Sequence, residues 1–167
     1  LDDLFTEKPD VEKGLAQIYA SWITRFKVDG FRVDTAKHVN AAFFRLWVPQ
    51  IRAAAKSAGI ADFPVFGEVT LNDAVDLSEY VRDRGLPQVL DFPFQQVASA
   101  YAAGASGAKG VANRLADDDY FRTGNGVDPA FTTFLGNHDM GRAAQQIRSQ
   151  APGLSGNALL QHVLLGY

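Results

Sequence analysis

Helical and strand signals alternate along this chain, and that alternation constrains the fold more than any other feature. Residues 10–26 place Leu15, Ile18, Tyr19, Trp22, Ile23 and Phe26 at spacings of three and four, the mark of an amphipathic helix. "DGFRVD" (29–34) reads as a strand, and 41–59 as a second helix stopped near Gly59. Strands are expected at 63–69, 88–94 and 131–139. Helical pieces are expected at 77–85, around "QQVASAYAAG" and "GVANRLADDD", and at 155–166. The order αβαβαβαβα implies a parallel sheet with crossover helices, either an open doubly wound sheet or a (β/α)8 TIM barrel. No Gly-x-Gly-x-x-Gly follows any of these strands, which weighs against a dinucleotide-binding sheet. The strands finish on or near Asp34, Glu68, Asp91 and Asp139. Carboxylates at successive strand ends suit a barrel, where the chemistry gathers at the C-terminal mouth.

Composition narrows the function. The chain has 167 residues, 47% of them hydrophobic and 21% charged, so it can bury a core. A net charge of −3 without a basic run does not favour a nucleic-acid groove or an anionic membrane surface. No apolar run reaches the roughly 18 residues of a membrane span. Cysteine is absent, which removes thiol catalysis, disulfides and cysteine–zinc sites.

"DGFRVDTAKHVN" (29–40) carries the most unusual charge pattern. Strand alternation puts Phe31 and Val33 on one face, Arg32 and Asp34 on the other. In a barrel the apolar pair faces the helices, so Arg32 and Asp34 point inward near the rim. A guanidinium beside a carboxylate keeps it ionised and oriented, as a nucleophile requires. A structural Arg–Asp pair filling the barrel floor gives the same pattern. Glu68 lies among apolar residues in "VFGEV", surroundings that favour a protonated general acid; a solvated strand-end Glu is the alternative. His138 and Asp139 in "NHD" suit a sugar-binding imidazole and a carboxylate that stabilises positive charge, while Asp139 as a helix N-cap explains the same residue. Together these groups supply the nucleophile or base and the separate proton donor that glycoside cleavage calls for.

These segments resemble the α-amylase family of glycoside hydrolases. "GFRVDTAKHV" is similar to its fourth-strand motif, "FGEV" to its fifth, "LPQVLDFPF" to its sixth-strand segment and "FLGNHD" to its seventh, in that order along the chain. The resemblance implies a partial (β/α)8 barrel, residues 1–167 lacking the first three strands and the eighth. It implies a retaining enzyme acting on α-1,4-glucans, with Asp34 as nucleophile, Glu68 as acid/base and Asp139 as transition-state stabiliser. Arg32 then holds the nucleophile, His138 binds substrate at the cleavage point, and Lys37 and His38 contact glucose on the leaving-group side. Asp3 matches a calcium-ligand position, with the His38 backbone carbonyl as co-ligand. A secreted or periplasmic protein fits the same family. A transglycosylase with the same three carboxylates, or a non-catalytic binding member, shares these motifs. Alone, a half-barrel is expected to be inactive, and either to pair with another copy through its open sheet edges or to be part of a larger chain.

Other conspicuous residues have simpler readings. Trp22, Trp47, Phe43 and Phe44 lie at helical spacing and are expected in the core. "ADDDY" (116–120) lacks the glycine and distal Glu of a calcium loop and reads as a solvated turn. His162 is expected to be structural, and Asp91 takes no role in the chemistry.

Overall fold

The computed structural model describes residues 4–122 and 131–167. These fall into two compact units: residues up to Val69 together with Leu77–Val89, and Thr70–Asp76 together with the chain from Leu90 onward. Among the described residues no helix is long and apolar enough to cross a membrane.

In the first unit, helix α1 (Pro9–Phe26) starts on a proline whose fixed φ suits the first turn, with Asp10 and Glu12 facing the positive end of the helix dipole. It ends where Lys27 turns left-handed and donates its N–H to the Ile23 carbonyl. Helix α2 (Ala41–Ser57) is capped by Asn40, whose side chain accepts the Phe43 N–H at 2.8 Å. It buries Phe43, Phe44, Trp47, Val48 and Ile51. Strands β1 (Phe31–Val33), β2 (Val65–Gly67) and β3 (Gln88–Leu90) pair in parallel in sequence order, with Arg32 opposite Phe66 and Gly67 opposite Val89. The expected face assignment in β1 holds. Phe31 turns to the helices and meets Tyr19 edge-on at 5.4 Å and Phe63 at 5.1 Å, while Arg32 turns the other way. Trp47, Phe43 and Phe44 are buried as expected, but Trp22 is 47% exposed and lies against Phe26, itself on the surface, at 4.8 Å. The apolar stripe of α1 is wider than what this unit covers: only Ala16 and Ile23 are fully buried. Helix α3 (Ala74–Arg82) begins three residues before its expected start, because Asp73 accepts the N–H groups of Val75 and Asp76.

The second unit departs further from the expected boundaries. The strand expected at 88–94 stops at Leu90, and helix α4 (Phe92–Ala102) takes over. Asp91 accepts the Phe94 N–H at 2.9 Å and Pro93 sits in the first turn, so "DFPF" is a capped helix start. The Asp91 N–H donates to the Thr132 carbonyl at 3.1 Å, which ties β4 (Phe131–Thr132) to the start of α4. β4 is two residues long; the chain then runs irregularly to Asn137, where a turn closed by pairing with Gly141 begins. Helices α5 (Ala108–Ala116), α6 (Ala143–Gln150) and α7 (Gly156–Gly166) complete the unit around Ala102, Ala103 and Ile147, packed by Leu154, Leu159 and Val163. α6 is an element the periodicity reading did not separate. "ADDDY" forms a 3-10 turn as its polarity suggested, with Asp118 and Asp119 taken up by Arg114 and Arg122. His162 contacts the Ala102 carbonyl, a structural role.

Asp91 has a structural task as well. Arg114 reaches it from α5 with two bonds, Nε to Oδ1 at 3.0 Å and an amino nitrogen to Oδ2 at 2.7 Å, both side chains 3% exposed. The guanidinium lies over the rings of Phe121 and Phe131. Burial pushes the Asp91 carboxyl above its ordinary range, and the Phe94 N–H and Arg114 offset this only in part. A carboxyl that holds its proton more tightly when folded loses stabilising effect as pH rises through the carboxylate range. Arg114→Met leaves Asp91 buried without its partner. The expected loss is about 3–5 kcal/mol near neutral pH, shrinking as pH is lowered toward about 4. Urea unfolding at the two pH values measures it, and a loss that grows on acidification contradicts the pairing.

Candidate active site

Arg32, Asp34 and Glu68 come together at the C-terminal ends of β1 and β2. Parallel pairing sets Val33 level with Gly67, so the residues that follow each, Asp34 and Glu68, leave adjacent strands at the same height. The Glu68 N–H donates to the Val33 carbonyl at 2.8 Å and continues the ladder to that point. The Arg32 guanidinium spans both acids, 2.7 Å from Glu68 Oε1 and 3.5 Å from Asp34 Oδ2. It is thus the closer partner of Glu68, where the sequence reading assigned it to Asp34. The apolar surroundings expected for Glu68 also need correction. Its side chain is 10% exposed, yet its carboxyl meets Arg32 and the Thr35 N–H, the latter at 3.2 Å from Oε2.

The two acids sit in different environments. Asp34 is 67% exposed at its side chain, open to a ligand. A hydrogen bond with the Glu68 carboxyl, then Arg32 and the Thr35 N–H, hold the Asp34 carboxyl below the usual carboxylate range, against a smaller opposing effect of lost water. Asp34 is therefore an ionised, oriented carboxylate at neutral pH.

Local backbone features build this pair. Thr35 has φ 45° and ψ 32°, a left-handed conformation that is strained for a β-branched residue, and it is this turn that aims its N–H at Glu68. A Cβ on Gly67 would lie 2.6 Å from a Leu86 methyl and 3.0 Å from the Ala36 Cβ, so only glycine lets β2 pass here. Lys37 and His38 follow, both exposed, on a 3-10 turn, Ala36–His38, which is rooted by the buried Ala36 and braced by the Tyr80 hydroxyl donating to the Lys37 carbonyl at 3.4 Å.

His138 and Asp139 belong to the second unit. They occupy the turn after β4, not a strand end, and their side chains are 66% exposed and paired at 3.2 Å. Asp139 is not a helix cap either, since α6 starts from Arg142. Asn137 shapes the turn by accepting the N–H groups of Asp139 at 3.0 Å and Met140 at 2.9 Å. Asp3 lies outside the described residues. No group of three His, Cys, Asp or Glu side chains among the described residues is arranged to hold a metal ion. Thr35, Tyr80 and Asn137 were not singled out from the sequence. Asn137, four residues before Gly141, carried a readable turn signal, whereas the Thr35 turn exists only through packing.

Fold and site together define a segment of a (β/α) barrel that carries a carboxylate pair, bridged by arginine, at consecutive strand ends. The chain belongs to the α-amylase family: the family model described as "Alpha amylase, catalytic domain" matches residues 1–165. It is 41% identical over 161 residues to an α-amylase of Streptomyces lividans, covering 96% of this chain and 18% of that protein. A cyclomaltodextrin glucanotransferase of Klebsiella oxytoca is 30% identical, with 90% of this chain and 24% of that protein covered. The crystal structure of an Anoxybacillus α-amylase superposes with TM-score 0.75 at 29% identity, over 89% of this chain and 31% of that one. The chain thus spans about a fifth to a third of the length of these three relatives, and within that span the fold is part of a TIM barrel.

Proposed function

We propose that the full-length protein is a retaining glycoside hydrolase that cleaves α-1,4-linked glucans such as starch and maltooligosaccharides. The observation that carries this reading is the Asp34–Arg32–Glu68 cluster: an exposed, ionised carboxylate beside a second, buried acid that shares its arginine. In the first step an Asp34 carboxylate oxygen attacks the anomeric carbon. The glycosidic C–O bond breaks and Glu68 passes its proton to the departing oxygen. In the second step water attacks the same carbon, Glu68 takes the water's proton, and the bond to Asp34 breaks. Asp139 stabilises the cationic sugar in both transition states and His138 binds the sugar at the cleavage point. Arg32 keeps both acids in register, and the Lys37–His38 turn contacts glucose beyond the cleaved bond. Calcium at Asp3 and the His38 carbonyl is proposed as structural support only, and no step runs through it.

Transfer of the glycosyl group to another sugar is the second reading, favoured by the similarity to the glucanotransferase. It uses the same first step, with a sugar hydroxyl in place of water. Proton NMR of maltopentaose digestion by the full-length protein tests the proposal. The α-anomer of each new reducing end is expected first, with the β-anomer growing only by mutarotation. Initial β-anomer overturns the retaining assignment, and products longer than the substrate favour transfer.

A further inference from the structure

We propose that Gln95 and Gln146 are positioning residues for Asp139, clamping the two ends of the turn that carries it. The proposal rests on the reading of Asp139 given above. Gln146 on α6 donates from Nε2 to the Gly141 carbonyl at 3.2 Å and to the Leu135 carbonyl at 3.4 Å. Those carbonyls stand at either end of the turn. Gln95 on α4 is 6% exposed and donates from its own Nε2 to the Leu135 carbonyl at 3.1 Å, the Ser99 hydroxyl at 3.0 Å and Gln146 Oε1 at 2.7 Å. The last bond fixes which way Gln146 faces. With its amide reversed, two NH2 groups would oppose each other and an oxygen would face two carbonyls.

Inside the clamp the turn has little freedom. The Gly141 N–H donates to the Asn137 carbonyl at 3.1 Å, and Asn137 Oδ1 takes the amides of Asp139 and Met140. A Cβ on Gly136 would fall 2.5 Å from the Gly141 carbonyl oxygen, so the two limbs of the turn touch backbone to backbone. Asp139 itself is largely exposed, and it pairs with the equally exposed His138. Its position is set by the backbone beneath it. A carboxylate that must meet developing charge needs placement to within about 0.5 Å. The glutamine pair supplies that placement from two helices while satisfying the carbonyls of Leu135 and Gly141.

The test is a double-mutant cycle in the full-length protein, using an aryl α-maltotrioside so that weak variants remain measurable. Gln146→Met is expected to lower kcat about 10- to 100-fold with KM within about twofold. Gln146→Glu keeps the shape but turns an oxygen toward the two carbonyls, and is expected to be as damaging as Gln146→Met. In an Asp139→Asn background the Gln146→Met change is expected to alter kcat less than about twofold. An equal loss in both backgrounds overturns the clamp, as does full activity in both Gln146 variants. If Asp139→Asn alone leaves kcat intact, the reading of Asp139 falls and the proposal falls with it.

Discussion

Asp34→Asn in the full-length protein is expected to lower kcat on maltooligosaccharides by about 10⁴-fold or more, with KM within a few-fold. Asparagine keeps the size and most of the hydrogen bonding of aspartate but cannot form the ester to the sugar. The side chain is largely exposed, so the fold is expected to survive, with an unchanged circular dichroism spectrum. Loss of activity with retention of fold separates a nucleophile from the floor-filling Arg–Asp pair that the sequence left open. Unchanged activity removes Asp34 from the mechanism. The result also discriminates against a non-catalytic binding protein, in which the substitution would touch affinity alone.

Glu68→Gln carries the second large effect, and its character differs from that of Asp34→Asn. Glutamine cannot give a proton to the leaving oxygen or take one from water. A loss of about 10²- to 10⁴-fold is expected on natural α-glucans. With α-maltosyl fluoride the first step needs no proton, so it is expected to stay fast while release from Asp34 becomes limiting. Azide attacks without base assistance and is expected to restore turnover and give α-maltosyl azide. No rescue by azide, together with equal losses on fluoride and glucan, would mean that Glu68 is structural. The introduced amide keeps a carbonyl oxygen to meet Arg32, so large disruption of the site is not expected.

Some parts of this molecule were legible in the sequence for a physical reason, and others were hidden for an equally physical one. α2 was readable because its caps are local: Asn40 before it and Gly59, at φ 86°, after it. Alternation in β1 led to the correct faces for Phe31 and Arg32, since a half-polar strand has one solution. By contrast "LDFPF" reads as a short apolar run, which does not distinguish a buried strand from a buried helix start. The Asp91 cap and Pro93 decided it. The same Asp91 had the look of a mouth acid, because a carboxylate at a strand end and one that caps the next helix occupy the same place in sequence. Its true partner, Arg114, is 23 residues away. Trp22 and its stripe on α1 predicted a core face that this span of chain does not cover.

The candidate site divided in a similar way. Asp34 and Glu68 were found because each ends a strand in a readable motif, and parallel register then forces them side by side. What joins them was not readable. Arg32 favours Glu68 by nearly an ångström over Asp34, and the Thr35 amide reaches Glu68 through a backbone conformation that threonine rarely adopts. The glutamine clamp under Asp139 was invisible for the same reason, since Gln95 and Gln146 stand 51 residues apart and meet only through packing.

The proposed chemistry turns on a covalent bond between Asp34 and the sugar. Trapping with 5-fluoro-α-maltosyl fluoride, followed by tryptic peptide mass spectrometry, looks for that bond directly in the full-length protein. Cleavage after Arg32 and Lys37 isolates the peptide Val33–Lys37, in which Asp34 is the only carboxylate side chain. The added mass of one fluoromaltosyl group is expected on that peptide and is expected to be absent from Asp34→Asn. Label on any other peptide, or active enzyme that turns over the reagent without labelling Asp34, would contradict a nucleophilic Asp34.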